Sequence, residues 1–252
     1  MWNLPLYALP PFLHRKDDFM NSNIQQRLTA YLLEQGANDV GFSMPPDAET
    51  TFPGLPYAVS IVVRLSDFII DEIDGAPTHT YFNHYRSVNA FLDQLLLKAG
   101  LFLQKEGYRY CTVAASQSIN KDGWNYQGRY SHKKAATLAA LGTVGKSSLF
   151  LHKQWGPRVR LATLFTDCPF MVPETILPSP CQNCHLCVDA CPAGAISGKT
   201  WTPERTREEM FAPEKCSNYM KRAFQHIGRG AVCGVCMRVC PMAKGLPSYQ
   251  AE

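Results

Sequence analysis

The sequence predicts an α+β domain followed by a small cysteine-built domain. Helical and strand-like patterns alternate as far as residue 168, where a stretch containing Pro169, Pro173, Pro178 and Pro180 interrupts them. Beyond it the chain reads Cys181-x2-Cys184-x2-Cys187-x3-Cys191-Pro192 and later Cys233-x2-Cys236-x3-Cys240-Pro241. The first run has bacterial ferredoxin spacing, and the second repeats it with its leading cysteine displaced upstream to Cys216. Two such runs predict a bacterial two-[4Fe-4S] ferredoxin-like domain over residues 181–245, with 246–252 as a tail. Residues 169–180 form the expected linker, 21–168 the first domain and 1–20 an extended arm.

The arm follows from Pro5, Pro10 and Pro11, which deny its backbone a helix. From a cap at Ser22 or Asn23, Ile24, Leu28, Tyr31 and Leu32 fall at helical spacing until Gly36. Residues 40–44 and 57–65 are short β-branched and aromatic runs bounded by Pro and Gly, and read as strands. Over 81–106, Tyr85, Val88, Leu92, Leu95, Leu96, Ala99 and Leu103 trace one apolar helix face. A strand is expected at 108–114, a polar loop at 116–130 and a helix at 133–141. A turn over 142–146 leads into strands near 148–152 and 159–166.

A hydrophobic share of 46% with 18% charged residues describes a globular chain. The net charge of +4 is unevenly spread, since residues 121–160 hold 8 basic side chains and one acid, Asp122. Such an excess suits an anionic ligand nearby. Thiols paired at C-x2-C spacing suit a metal centre rather than a disulfide framework, and point to a reducing, cytoplasmic compartment. Trp2 to Leu13 is apolar, yet it lacks a preceding positive charge and carries three prolines, so neither export nor membrane spanning is expected.

A cubane needs four thiolates. Two intervening residues let one turn present successive sulfurs to one cube, while the cysteine before proline reaches the other. Cys181, Cys184, Cys187 and Cys240 are therefore expected to hold cluster 1, and Cys191, Cys216, Cys233 and Cys236 cluster 2. Cys216 requires the segment between the two runs to fold back. Structural zinc is the competing reading of a C-x2-C pair, and it leaves the exchange symmetry of the two halves unexplained. His185, inside the first run, is expected to tune cluster hydrogen bonding. Cys111 reads as a small core residue, and Cys168 has no assigned role.

Lys133-Lys134-Ala135-Ala136, the run from Ala139 to Ser147, Trp155-Gly156-Pro157 and Leu164-Phe165-Thr166-Asp167, followed by the cysteine order, give the chain a family likeness. It resembles the epoxyqueuosine reductases and reductive dehalogenases, as a short member without their C-terminal helical repeats. The resemblance implies a nitroreductase-like first domain that binds cobalamin, or alternatively a flavin. The two clusters would relay electrons from a ferredoxin or flavodoxin to that cofactor, for reductive removal of a substituent from a small molecule or modified nucleoside, with tRNA as a further partner. Gly142, Gly145, Lys146 and Ser147 are the expected cofactor contacts, because the turn is rich in backbone donors and Lys146 adds charge. Ala114-Ala115-Ser116 stands where an aspartate proton donor follows the corresponding strand in the reductases. The proton donor is then sought among Tyr81, His84, Tyr85, Tyr126, Tyr130 and His132. Tyr130, beside His132 and Lys133, matches the cation-backed tyrosine of the dehalogenases. A second class of function is an electron-transfer protein serving a partner's cofactor, docking through Lys215, Lys221, Arg222, Arg229 and Arg238.

Overall fold

A computed structural model describes residues 15–119, 123, 126–230 and 232–244. Its centre is a four-stranded antiparallel sheet of order β1-β2-β6-β3, formed by β1 (Asp39–Ser43), β2 (Tyr57–Arg64), β3 (Tyr110–Val113) and β6 (Val159–Thr166). β2 and β6 run side by side in the middle, from Tyr57 opposite Thr166 to Arg64 opposite Val159. Both faces of these strands are covered, so every residue from Ala58 to Val63 is buried, Ser60 included. Helices pack on this antiparallel sheet, as the α+β expectation requires.

Helix α1 (Arg15–Glu34) precedes the sheet, with Leu28 and Leu32 wholly buried. The expected arm is corrected here, because residues 15–20 are helical; every arm proline lies at or before position 11, and residues 1–14 fall outside the described part. Two short helices follow, α2 (Ala48–Thr51) and α3 (Asp67–Asp71). The long helix α4 (His79–Lys105) is capped by the Thr78 side chain, which accepts from the Tyr81 amide. It buries Leu92, Leu95, Leu96, Ala99 and Leu103, the stripe its periodicity predicts. Helix α5 (His132–Leu138) begins at Ser131, whose hydroxyl accepts from the Lys134 amide. The expected turn over 142–146 is corrected in part, since residues 142–144 form strand β4 (Gly142–Val144), paired with β5 (Phe150–His152) in a separate two-stranded sheet.

The proline stretch is pinned to the first domain. The Met171 amide donates to Gln25 Oε1 at 2.8 Å, and the Phe170 ring lies 4.5 Å from that of Phe42. Beyond it come α6 (Leu186–Asp189), α7 (Arg207–Met210), α8 (Pro213–Phe224) and α9 (Val235–Arg238), then a short 3-10 turn over Pro241–Lys244. Val232, Val235 and Met237 share one apolar core with Leu92, Leu96 and Leu164, so the cysteine-bearing part and the sheet domain are packed as one body. Among the described residues no helix is long and apolar enough to cross a membrane.

Candidate metal centres and cavity

The two cysteine runs form two groups, each drawing on both runs. Cys181, Cys184, Cys187 and Cys240 line one small cavity of about 30 Å³, together with Gly145, Lys146 and Ser147. Cys191 acts electrostatically on Cys216, Cys233 and Cys236, which form the second group with it. Helix α8 supplies the fold-back that brings Cys216 in: Pro213 opens its first turn and the Cys216 amide donates to the Ala212 carbonyl. This helix was missed in the sequence reading, although Cys216, Tyr219, Met220, Ala223 and Phe224 recur along it at helical spacing.

Local backbone shapes both loops. Gly234, between Cys233 and Val235, has φ +80°, and a Cβ there would stand 2.6 Å from Ile73 Cδ1 and 2.9 Å from Tyr81 Cε1. Only glycine combines that left-handed turn with so close an approach. Burial pushes the Cys187 and Cys216 thiols up to about 11 and Cys240 to about 12. Without a metal these sulfurs stay protonated, so cluster assembly releases protons. His185 stands exposed on its loop. Cys168 is wholly buried, whereas Cys111 is half-buried, packed against the core around Phe52 and Phe165 with its sulfur 3.3 Å from Arg129 Nη1.

Cys216, Cys233 and Cys236 also form part of the wall of a second, much larger cavity of about 840 Å³. Its other walls come from Val113 at the end of β3 and the residues after it, from α5 and the residues before it, from Ser147 to Phe150, and from Arg160 on β6. Of the four expected cofactor contacts only Ser147 reaches this space. Gly145 and Lys146 face the first cysteine group, and Gly142 pairs with His152 in the β4–β5 ribbon.

Tyr130 lines the large cavity. Its phenol donates to Asp47 Oδ1 at 2.6 Å, and Lys134 Nζ donates to Asp47 Oδ2 at 2.6 Å. Burial, then the Asp47 bond and charge, drive the Tyr130 phenol far above its ordinary value. The cation behind Tyr130 is thus Lys134, acting through a carboxylate, and neither His132 nor Lys133. Asp47 precedes α2 as its cap residue but makes no side-chain cap bond, which leaves both oxygens for this network. The sequence reading missed Asp47; the one available signal was an acid directly after Pro45-Pro46.

His132 is fixed in the wall. Its Nε2 lies 3.0 Å from the Ala114 carbonyl, which can only accept, so Nε2 carries the proton and Nδ1 accepts from the Thr163 hydroxyl at 2.8 Å. Burial lowers its pKa to about 4, keeping it neutral. Lys133 Nζ donates to the Ser148 carbonyl at 2.6 Å and hydroxyl at 3.1 Å, and burial and the Arg207 charge bring it down to about 8. Arg160 donates to Asn89 Oδ1 at 2.9 Å and to the Tyr85 hydroxyl at 3.1 Å, with its guanidinium 4.4 Å from the Tyr85 ring centre. Burial works to raise the Tyr85 pKa, yet Arg160 and the hydrogen bonds from Ser116 and Asn89 outweigh it and leave Tyr85 lowered. Tyr85 is therefore a tyrosine in direct contact with a cation. Tyr81 is buried beneath Gly234 with its pKa raised, and His84 Nε2 accepts from the Ser66 amide. The Tyr126 carbonyl accepts from Arg207 at 2.7 Å, tying the loop before α5 to α7.

A family model described as a 4Fe-4S double cluster binding domain matches residues 180–243. The C-terminal part is a double-cluster iron–sulfur domain. An epoxyqueuosine reductase of Listeria monocytogenes is 28% identical over 127 residues, covering 47% of this chain and 31% of its own length. A tetrachloroethene reductive dehalogenase of Sulfurospirillum multivorans is 29% identical over 115 residues, covering 44% of this chain and 23% of its own. The chain is a relative of the epoxyqueuosine reductases and reductive dehalogenases. The matched stretch spans less than a third of either relative. Two solved structures share the fold. An epoxyqueuosine reductase with a tRNA-Tyr epoxyqueuosine-modified stem loop superimposes with a TM-score of 0.61 at 16% identity, covering 92% of this chain and 70% of that one. A catabolic reductive dehalogenase in complex with 3-bromo-4-hydroxybenzoic acid gives 0.65 at 21% identity, covering 88% and 32%.

Proposed function

We propose that the protein is an iron–sulfur reductase that passes single electrons through two [4Fe-4S] clusters into the large cavity, for reductive removal of a substituent from a small organic or modified-nucleoside substrate. One observation carries the reading: Cys216, Cys233 and Cys236 wall the same cavity that Tyr130 and Arg160 line. In this reading the group of Cys181, Cys184, Cys187 and Cys240 receives electrons from a ferredoxin or flavodoxin, and the group of Cys191, Cys216, Cys233 and Cys236 delivers them. Cleavage then balances as two electrons and one proton per carbon–substituent bond broken, giving the reduced carbon and the departing anion.

The cavity's volume, toward the upper end of small-molecule sites, favours a large ring such as the corrin of a cobalamin over a small substrate alone. When bound, a cobalamin would supply a low-valent cobalt able to remove an oxygen or halogen substituent. Ser147, Ser148, Lys133 and Arg160 are the residues placed to hold it or the substrate. Lys133 and Arg160 make only neutral contacts among the described residues, so an anionic oxygen on either ligand would complete them. Tyr130 holds a proton at its phenol oxygen beside the cavity, within a network that Asp47 and Lys134 complete. A protein working in this way belongs in a reducing compartment.

The test is joint analysis of iron, sulfide, cobalt, zinc and flavin on anaerobically reconstituted protein. About eight iron and eight sulfide per chain, with retained cobalt, are expected. Retained flavin would replace cobalamin by the alternative cofactor. Neither one retained would leave a protein that reduces a cofactor held by a partner, and zinc in place of iron would end the proposal.

A further inference from the structure

We infer that Lys146 is a charge that sets the reduction potential of the cluster held by Cys181, Cys184, Cys187 and Cys240. It goes beyond the reductase reading and rests only on the double-cluster part of it. Lys146 is 3% exposed, a depth at which an ammonium needs compensation. Its Nζ donates to the Gln182 carbonyl at 2.6 Å and the Cys184 carbonyl at 3.1 Å, both within the first cysteine loop. Among the described residues it forms no ion pair with a carboxylate. Its own amide points at Cys181 Sγ, at 3.4 Å. Gly145 brings that backbone in, since a Cβ there would already lie 3.4 Å from Cys181 Sγ and 2.9 Å from Leu151 Cδ1.

The missing counter-charge is the cluster itself. Four thiolates around a cubane leave it net negative, and more so after reduction. A desolvated ammonium and an N–H···S bond beside it stabilise the reduced form more than the oxidised one, which raises the potential. Lys146 belongs to the sheet domain and the cysteines to the iron–sulfur domain, so correct docking of the two is what gives this cluster its potential. Gly142 to Ser147, expected to bind a cofactor's tail, takes on a different electronic role at Gly145 and Lys146.

Three variants of the reconstituted full chain test this by anaerobic redox titration followed by electron paramagnetic resonance. The second cluster's signal is identified as the one altered in Cys216→Ser. Lys146→Gln keeps a donor for the two carbonyls without the charge, Lys146→Met removes both, and Lys146→Arg keeps the charge. The first cluster's one-electron reduction equilibrium is expected to fall about tenfold, about 59 mV, in the Gln and Met proteins, and to hold in Arg, with the second cluster unmoved. Loss of the first cluster in Gln and Met but not in Arg would also support the assignment. A Gln protein with the wild-type midpoint, equal shifts at both clusters, or cluster loss in Arg too would overturn it. Failure of the cluster reading itself would show separately, as zinc or a deficit of iron in the unmutated protein.

Discussion

Tyr130 donates its phenolic hydrogen to Asp47 across 2.6 Å, although 83 residues separate the two along the chain. The bond holds the phenol in its protonated form at the edge of the large cavity. Asp47→Asn should remove both the anion and the strongest acceptor. Tyr130 is then expected to titrate at lower pH than in wild type in an ultraviolet tyrosinate titration, though still above the ordinary value of about 10 because its burial remains. An unchanged titration curve would count against the network.

Tyr130→Phe preserves the ring contacts with Phe52 and Phe165 and removes only the hydroxyl. Iron content should stay at the wild-type level while reductive turnover falls by roughly 10²–10⁴ if this proton is used in the reaction. Full turnover in the Phe protein would transfer the role to another group, with Tyr85 beside Arg160 as the next to substitute.

His132 makes folding sensitive to acid. Its pKa falls from 6.5 in the unfolded chain to about 4 in the fold, so between those values the unfolded state binds the extra proton. Stability is therefore full above about 6.5 and declines as pH falls toward 4. His132→Gln should flatten that part of a melting-temperature profile measured from neutral to mildly acidic pH. A slope identical to wild type would mean that His132 is not the group responsible.

Crossed ligation has a signature in two serine variants. Cys191→Ser should disturb the cluster beside the large cavity, although Cys191 sits in the first run, and Cys240→Ser should disturb the other, although it sits in the second. Paramagnetic resonance of the reduced proteins separates the cases. Matching losses within each run, instead of across the two, would refute the grouping.

Gly234→Ala places a methyl within 2.6 Å of Ile73 Cδ1 on a backbone with φ +80°. A loss of about 1–3 kcal/mol in stability is expected, with lower occupancy of the second cluster. Chemical denaturation with parallel iron analysis would detect both.

Much of the fold was legible because its signals are local. The stripe from Leu92 to Leu103 and the largely apolar run at 58–63 each report their own burial, and the cysteine spacing suggests a grouping without partners from elsewhere. What stayed hidden depends on distant partners. Asp47 meets Tyr130 and Lys134 only after the sheet forms, and nothing in Gly145-Lys146 reveals that the turn faces a sulfur loop 35 residues on. The helix carrying Cys216 is an exception: Cys216, Tyr219, Met220, Ala223 and Phe224 mark one face at helical spacing, yet its start at Ala212 has no side-chain cap to announce it.

The shared core of Val232, Val235 and Met237 with helix α4 has a further meaning. These residues flank or lie within the loop of Cys233 and Cys236, so a cluster held there would act as a rivet through the middle of the molecule. Oxidative loss of its iron would then be more than a broken wire: it would loosen the packing beneath the cavity, and damage by oxygen would show as a partial unfolding visible to proteases.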